Sequence, residues 1–158
     1  MAVSDLERRV DTLESIEAIK RLKHQYCAHC DAGYDPDGIA SQFVDDGVWD
    51  GGEDFGRYEG REAIRAFFAG VSSQIVFAGH LVMNERIDVD ADNDTARGQW
   101  WIIMPATMMM EGVKTAIWLL GQYDDHYVRR DGTWMFQSLN ATIHFVKPHK
   151  DGWVEASA

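Results

Sequence analysis

The sequence has 158 residues and is 46% hydrophobic, which predicts one compact domain with a sizeable core. Its 15 Lys and Arg residues against 26 Asp and Glu residues give a formal net charge of −11. That charge repels phosphate backbones and anionic lipid headgroups, so we expect neither nucleic acid nor a membrane as a partner.

The N-terminal segment mixes charged and apolar residues and lacks the uninterrupted apolar run that a secretory signal needs. No run approaches the roughly 20 apolar residues that span a bilayer. The two cysteines, Cys27 and Cys30, are too close in sequence to link distant parts of a fold, so nothing indicates an oxidising compartment. We therefore expect a cytoplasmic protein.

A long first helix is predicted from Ser4 to about Cys30. Apolar residues recur there at intervals of three and four, which is typical of a helix that buries one face. These residues are Leu6, Val10, Leu13, Ile16, Ile19, Leu22 and Tyr26. The helix should end in the segment "DAGYDPDG", which contains two glycines and a proline.

Two further helices and one brief strand are predicted in the N-terminal half. A short amphipathic helix should run from about Gly38 to Val44, and the segment "DDGVWDGG" is typical of a short strand closed by glycines. A third helix is predicted within "YEGREAIRAFFAGVS", and its inner face should carry Ile64, Phe67, Phe68 and Val71.

From Gln74 onward the sequence changes to β-branched and aromatic runs, which predict four long antiparallel strands. Turn signals near 91–94, 110–112 and 129–132 separate them. Helices followed by such a meander predict an α+β domain, in which the helices pack on one side of a curved sheet.

Two predicted strands carry polar groups on one alternating face. In the first, His80, Val82, Asn84 and Arg86 share a face. In the last, the alternating set is Trp134, Phe136, Ser138, Asn140, Thr142 and His144. Such a mixture fits a ligand pocket, and it fits a half-exposed sheet face equally well.

The stretch "YCAHCD" contains a C-x-x-C pair that could be a redox centre or half of a zinc site. A structural zinc needs four ligands, and no second cysteine pair exists. A reactive thiol pair belongs at a helix start, whereas Cys27 and Cys30 are near a predicted helix end. We interpret them as packing residues and expect no metal.

The residues flanking the cysteines are better candidates for chemistry. Tyr26 and Asp31 lie at the end of the predicted helix, and His80 precedes a predicted strand. A Tyr, an Asp and a His together supply general acid and base groups, with the carboxylate orienting the imidazole. The alternatives are that Asp31 merely begins a turn and that His80 is an ordinary core or surface histidine.

Other chemistry lacks its sequence signals. The chain has no G-x-G-x-x-G, P-loop, G-x-S-x-G or H-E-x-x-H motif, so we expect no nucleotide or other cofactor. The segment "MPATMMM" and the pair Trp100 and Trp101 are interpreted as packing, although one of these tryptophans could line a pocket.

Several segments resemble the SnoaL-like branch of the nuclear transport factor 2-like superfamily, over about residues 13–146. They are "IEAIKRLKHQYCAHCDAGYD", "FVDDGVWD", "GRYEGREAIRAFFAG", "GHLVMNERIDVD" and "YDDHYVRRDGTWMFQ". The resemblance extends to bile acid 7-alpha-dehydratases, scytalone dehydratase and lindane dehydrochlorinase. It implies a single domain over residues 1–158 with a tail at 147–158. The implied fold is a cone-shaped α+β barrel enclosing a pocket, commonly in a trimer.

The same resemblance implies roles for three residues. His80 matches the catalytic base on the sheet, Asp31 matches its partner at the helix end, and Tyr26 matches a tyrosine of the bile acid enzymes. Met104 stands where those enzymes have an acidic residue. This difference argues against a bile acid substrate. Tyr26 and Leu139 stand where the dehydrochlorinase has a lysine and an arginine, which argues against halide elimination.

We therefore predict a cofactor-independent lyase that performs a dehydratase-type elimination on a hydrophobic cyclic or aromatic small molecule. Carbon–carbon cleavage, isomerisation or cyclisation by the same dyad, and a non-catalytic binding module, remain alternatives. The predicted pocket residues are Trp49, Tyr58, Val82, Trp101, Asn140 and His144. We expect a homo-oligomer, with a trimer favoured over a dimer.

Overall fold

The computed structural model describes residues 4–92 and 94–150. The helices are α1 (Asp5–Asp31), α2 (Pro36–Ser41), α3 (Gly52–Phe55) and α4 (Arg61–Val71). The strands are β1 (Phe43–Asp50), β2 (Arg57–Glu59), β3 (Ile75–Ala78), β4 (Leu81–Val89), β5 (Thr95–Met110), β6 (Val113–Arg130) and β7 (Thr133–Pro148). No helix in this part of the chain is long and apolar enough to cross a membrane.

All the described strands join one curled sheet in the order β2-β1-β7-β6-β5-β3, and β4 pairs with β5 next to β3. The pairing of β1 with β7 is parallel, and the other pairings are antiparallel. The helices pack on the sheet and make a half-barrel, because each has an apolar side that the sheet covers. The predicted α+β fold, with helices on a curved and mostly antiparallel sheet, is confirmed.

Helix α1 is bounded as the sequence predicts, since Ser4 caps its first turn in a capping box with Glu7. Burial departs from the prediction: Ile19 and Tyr26 are buried, whereas Leu6, Val10 and Leu13 are exposed. Only the second half of the helix therefore buries its apolar face.

A buried ion pair fixes that second half to the sheet. Lys23 Nζ lies 2.8 Å from Asp125 Oδ2 on β6, and both side chains are fully buried. The Tyr127 hydroxyl donates a second hydrogen bond to the same oxygen, and Lys23 Nζ lies 3.3 Å from the centre of the Tyr123 ring. The pair places the end of α1, which carries Asp31, against the inner face of the sheet.

Some element boundaries differ from the predictions. Helix α2 begins at Pro36 and ends at Ser41, and three short elements, α3, β2 and β3, were not predicted. Elements of three or four residues are too short to show periodicity. Strand β7 continues to Pro148, two residues into the predicted tail, and residues 151–158 of that tail lie outside the described residues.

Candidate active site

Asp31 and His80 meet at the mouth of the half-barrel. Asp31 is the last residue of α1, and His80 directly precedes β4. Asp31 Oδ1 lies 2.7 Å from His80 Nδ1 and also accepts a hydrogen bond of 2.9 Å from the His80 backbone N–H. The His80 side chain is 6% exposed and that of Asp31 is 39% exposed. The carboxylate thus holds both the backbone and the ring of the histidine.

This contact selects the histidine tautomer that can act as a base. A carboxylate only accepts hydrogen bonds, so Nδ1 is the nitrogen that carries the proton toward Asp31. In the neutral ring Nε2 then has the free lone pair. The two donors from His80 also offset the unfavourable position of a carboxylate at a helix C-terminus.

The His80 ring forms part of the wall of an internal cavity between the helices and the sheet. The cavity is lined by Tyr26, Tyr34, Trp49, Phe55, Phe67, Phe68, Val71, Ile75, His80, Ile102, Met104, Leu119, Tyr123, Ala141 and Ile143. It encloses about 480 Å³ of empty space, including its open mouth. The lining is apolar and aromatic except for three phenolic hydroxyls, one indole N–H and one imidazole. It contains no Lys or Arg.

Tyr26 lies in the cavity wall and is 2% exposed. Its hydroxyl oxygen accepts a hydrogen bond of 2.9 Å from Trp49 Nε1, and its ring packs edge-on against Phe68 and Phe136. Burial raises the pKa of the Tyr26 hydroxyl well above its ordinary value, so this hydroxyl keeps its proton. The same hydroxyl has a hydrogen-bond contact with the Cys30 side chain. A substrate oxygen is a stronger acceptor than a thiol sulfur and could take this hydrogen bond instead.

An aromatic cluster forms the wall on the side of α3 and α4. The ring of Trp49 lies 4.8 Å from that of Phe67 and 5.4 Å from that of Phe68. Tyr58, predicted to line the pocket, stacks 4.2 Å from Phe67 and does not line the cavity. Val82 likewise packs partly buried against the core without lining the cavity.

Three other predicted pocket residues lie on the opposite face of the sheet. Trp101 alternates with the buried Trp100 and Ile102, so its side chain faces outward. The Asn140 amide donates to the Asp124 carbonyl oxygen, and the His144 ring lies 5.4 Å from that of Trp101. The prediction that these residues line the cavity is wrong.

A bulge in β7 explains the error for Asn140 and His144. Between the pairs Tyr127↔Phe136 and His126↔Ser138, β7 contains one extra residue, Gln137. A bulge of this kind shifts every following side chain to the other face. Ala141 and Ile143 therefore line the cavity, and their neighbours in sequence face outward.

A bulge in β4 has the same effect. This strand has two residues between Met83 and Arg86 where β5 has one, and Asn84 has a φ of +55°. The predicted shared face of His80, Asn84 and Arg86 is therefore wrong. Asn84 and Arg86 line a polar depression on the outer face of the sheet, together with Trp101.

Tyr34 is a cavity residue that the sequence did not reveal. Its ring lies edge-on to His80, with 5.9 Å between the ring centres, and it stacks 6.1 Å from Phe68. It follows α1 in the segment "DAGYDPDG", whose glycines and proline indicate only a turn.

Both cysteines are buried and reduced. Burial raises the pKa of Cys27 to about 11 and that of Cys30 well above its ordinary value. Thiols that stay protonated at neutral pH are poor nucleophiles and poor metal ligands. The structure therefore agrees with their interpretation as packing residues.

The structure also shows where Met104 and Leu139 lie. Met104 lines the cavity and is 3% exposed, so this part of the wall is apolar. Leu139 is fully buried in the core.

The fold is similar to that of several solved structures over most of the chain. Type 2 of the hexachlorocyclohexane dehydrochlorinase LinA superposes with a TM-score of 0.81 at 27% identity, over 91% of this chain and 95% of that chain. LinA-type3 from Novosphingobium barchaimii LL02 has a TM-score of 0.80 at 27% identity, over 91% and 96%. A candidate scytalone dehydratase from Novosphingobium aromaticivorans DSM 12444 has a TM-score of 0.79 at 23% identity, over 91% and 93%.

These likenesses confirm the cone-shaped α+β fold of the nuclear transport factor 2-like superfamily. No functionally curated protein matches the chain significantly. The family model of the SnoaL-like domain matches residues 11–140, which is most of the sequence. The chain therefore belongs to the SnoaL-like domain family.

Proposed function

We propose that this protein is a cofactor-independent lyase that eliminates water from a small, hydrophobic, cyclic or aromatic molecule. The observation that carries the proposal is the hydrogen bond of 2.7 Å between His80 Nδ1 and Asp31 Oδ1, with the histidine ring in the wall of an apolar cavity. Binding an apolar molecule needs such a cavity but does not need an oriented imidazole.

The mechanism begins with proton removal. His80 Nε2 takes a proton from the carbon next to a carbonyl or phenolic system, and the electron pair of the broken carbon–hydrogen bond forms the enolate. Asp31 stabilises the resulting imidazolium, while Tyr26 donates a hydrogen bond to the enolic oxygen. The carbon–oxygen bond to the departing hydroxyl then breaks, and the imidazolium returns the same proton to it. Substrate is converted into an alkene and water, and every side chain regains its starting state.

The cavity supports a small, uncharged substrate. Its lining has no cation to pair with a carboxylate or phosphate group. The enclosed part of the cavity has a volume of about 50 Å³, several times the roughly 10–15 Å³ that one water needs. This space fits a single ring better than a steroid, and Met104 makes that part of the wall apolar.

The comparisons support elimination as the class of reaction. Hexachlorocyclohexane dehydrochlorinases, at 27% identity over 91% of this chain, are eliminating enzymes by name. We favour loss of water over loss of halide because phenolic hydroxyls in the lining can donate hydrogen bonds to oxygen. The same dyad could also begin a carbon–carbon cleavage, an isomerisation or a cyclisation, and the assay must detect those products.

The test is turnover of a panel of cyclic β-hydroxy ketones and hydroxylated aromatic compounds, with products followed by mass spectrometry. We expect His80→Ala and Asp31→Asn each to lower kcat by about 10²–10⁴-fold. His144→Ala is the matched control, because this histidine lies on the outer face of the sheet. An active wild type whose rate survives both dyad substitutions contradicts the proposal.

We further propose that the protein is a homo-oligomer, with a trimer favoured over a dimer. The outer face of the sheet exposes three large apolar side chains, Leu81, Trp118 and Phe145, which a second copy would cover. Light scattering coupled to size exclusion tests this, and a monomeric mass at micromolar concentration contradicts it.

A further inference from the structure

We infer that the Tyr34 hydroxyl is an oxygen-recognition group, which donates a hydrogen bond to a hydroxyl or carbonyl oxygen of the molecule in the cavity. This inference rests on the proposed function only in that the cavity is taken as the substrate site. Tyr34 would act beside His80 and would make the cavity select oxygenated rings over hydrocarbon rings of equal size.

The Tyr34 hydroxyl is an unsatisfied polar group. Tyr34 is 5% exposed and lines the cavity, and its hydroxyl is buried without a hydrogen-bond partner among the described residues. Buried polar groups are nearly always paired, because an unpaired one forfeits its hydrogen bonds to water. Tyr26, in the same wall, has its oxygen paired with Trp49. A ligand oxygen would supply the partner that Tyr34 lacks.

The backbone of Tyr34 also has an unusual conformation. Tyr34 has a φ of +60°, directly after Gly33 with a φ of +86°. This left-handed conformation is strained for a tyrosine, and such strain concentrates at functional sites. The turn is held by hydrogen bonds from the Tyr34 N–H to the Cys30 carbonyl and from the Asp35 N–H to the His29 carbonyl. The chain is thus kept in a conformation that places a phenol in the cavity wall.

Tyr34 lies next to the dyad of Asp31 and His80. The edge-on contact with His80 puts the phenol and the imidazole in one part of the wall. Burial raises the pKa of Tyr34 well above its ordinary value, so the hydroxyl keeps its proton and can donate. If Tyr34 only filled space, a phenylalanine would serve equally well. Phe68, whose ring stacks on that of Tyr34, is an example.

The test compares two probes of similar shape, phenol and toluene, by NMR titration of the wild type and of Tyr34→Phe. We expect phenol to bind the wild type about tenfold more tightly than toluene, and Tyr34→Phe to remove most of this preference. Tyr58→Phe is the matched control, because this tyrosine stacks behind Phe67 outside the cavity lining. It should keep the preference.

A hydroxyl that is only an unpaired core atom predicts a different pattern. Its removal would leave the phenol preference unchanged and would raise the melting temperature, and that result overturns the inference. Equal binding of phenol and toluene by the wild type also overturns it. If Tyr34→Phe does not fold, the ¹³Cζ resonance of Tyr34 in the wild type gives the answer. It should shift with phenol and not with toluene, and the absence of a phenol-specific shift overturns the inference.

These outcomes are separate from those of the proposed function. A phenol preference that depends on Tyr34, in a protein that never shows turnover, upholds the recognition role and rejects the lyase. Dyad-dependent turnover with unchanged selectivity in Tyr34→Phe upholds the lyase and rejects the recognition role.

Discussion

Replacement of Lys23 by methionine should destabilise the fold strongly at neutral pH. The substitution keeps most of the side-chain volume but removes the ammonium group that lies 2.8 Å from Asp125 Oδ2. Both side chains are fully buried, so the carboxylate would keep only the hydrogen bond from the Tyr127 hydroxyl. Breaking a buried pair by removing one partner costs about 3–5 kcal/mol. For a domain of this size, that loss lowers Tm by roughly 6–20 °C.

The assay is urea unfolding followed by circular dichroism, with Lys20→Met as the matched control. Lys20 lies one turn earlier in α1, is partly exposed, and pairs with Glu17 and Glu85 at 3.5 and 3.2 Å. Pairs of this kind contribute at most about 1 kcal/mol. If Lys23→Met loses no more stability than Lys20→Met, the buried pair does not hold α1 to the sheet.

The same variant should show a characteristic pH dependence. Burial already raises the pKa of Asp125, and removal of the Lys23 ammonium raises it further. A carboxyl whose pKa is raised on folding favours the folded state at low pH, and that contribution is lost as the pH rises. The deficit of Lys23→Met should therefore shrink as the pH falls from 7 toward 5. A deficit that is constant with pH would show that Asp125 is not the source of the instability.

Three further predictions concern the cavity and α1. The pKa of Cys27 is raised from 9.0 to about 11, so the free energy of unfolding should fall by up to about 3 kcal/mol between pH 9 and 11. In denaturant titrations Cys27→Ala should show a smaller fall over this pH range, and an equal fall in both proteins contradicts the prediction. Tyr26→Phe removes the acceptor of the Trp49 N–H, so urea unfolding should show a loss of about 1–3 kcal/mol of stability, and kcat should fall by at least tenfold. A variant as stable and as active as the wild type contradicts both the structural and the catalytic role of this hydroxyl. Because Met104 lines the cavity and is buried, Met104→Ala should lower the free energy of unfolding by about 2–5 kcal/mol and shift turnover toward substrates with larger rings. Unchanged selectivity for ring size contradicts the place of Met104 in the cavity wall.

The sequence predicts the long elements of this fold well because their signals are local. The glycines after α1 and the turn signals between β4, β5, β6 and β7 each specify a boundary without reference to the rest of the chain. Helix α3 and strands β2 and β3 have at most four residues each, and the two strands are defined by their pairing with β1 and β5. No local pattern reveals them.

The candidate site likewise has residues that the sequence identifies and residues that it misplaces. A family resemblance brings Asp31 and His80 to attention, and the structure places them in hydrogen-bond contact. The polar pocket residues Asn140 and His144 were misplaced because the extra residue at Gln137 changes the face on which later side chains lie. A bulge leaves no mark in a pattern of alternating residues, since it is fixed by pairing with the neighbouring strand.

Lys23 and Tyr34 could not be found from the sequence for a different reason. A lysine in a helix full of charged residues is normally exposed, and only the tertiary contact with Asp125 shows that it is buried. A tyrosine in a turn gives no sign of an unpaired hydroxyl in a cavity wall. Both features depend on residues distant in sequence.

The most direct test of the central claim, that Asp31 orients His80 as a base, is the ¹⁵N NMR spectrum of the His80 ring. The contact of Asp31 Oδ1 with Nδ1 predicts a neutral ring protonated at Nδ1, with an unprotonated Nε2. Asp31→Asn should change this spectrum, while Asp35→Asn, whose carboxylate lies near His29, should leave it unchanged. A ring protonated at Nε2 in the wild type, or a His80 signal that does not respond to Asp31→Asn, would contradict the claim.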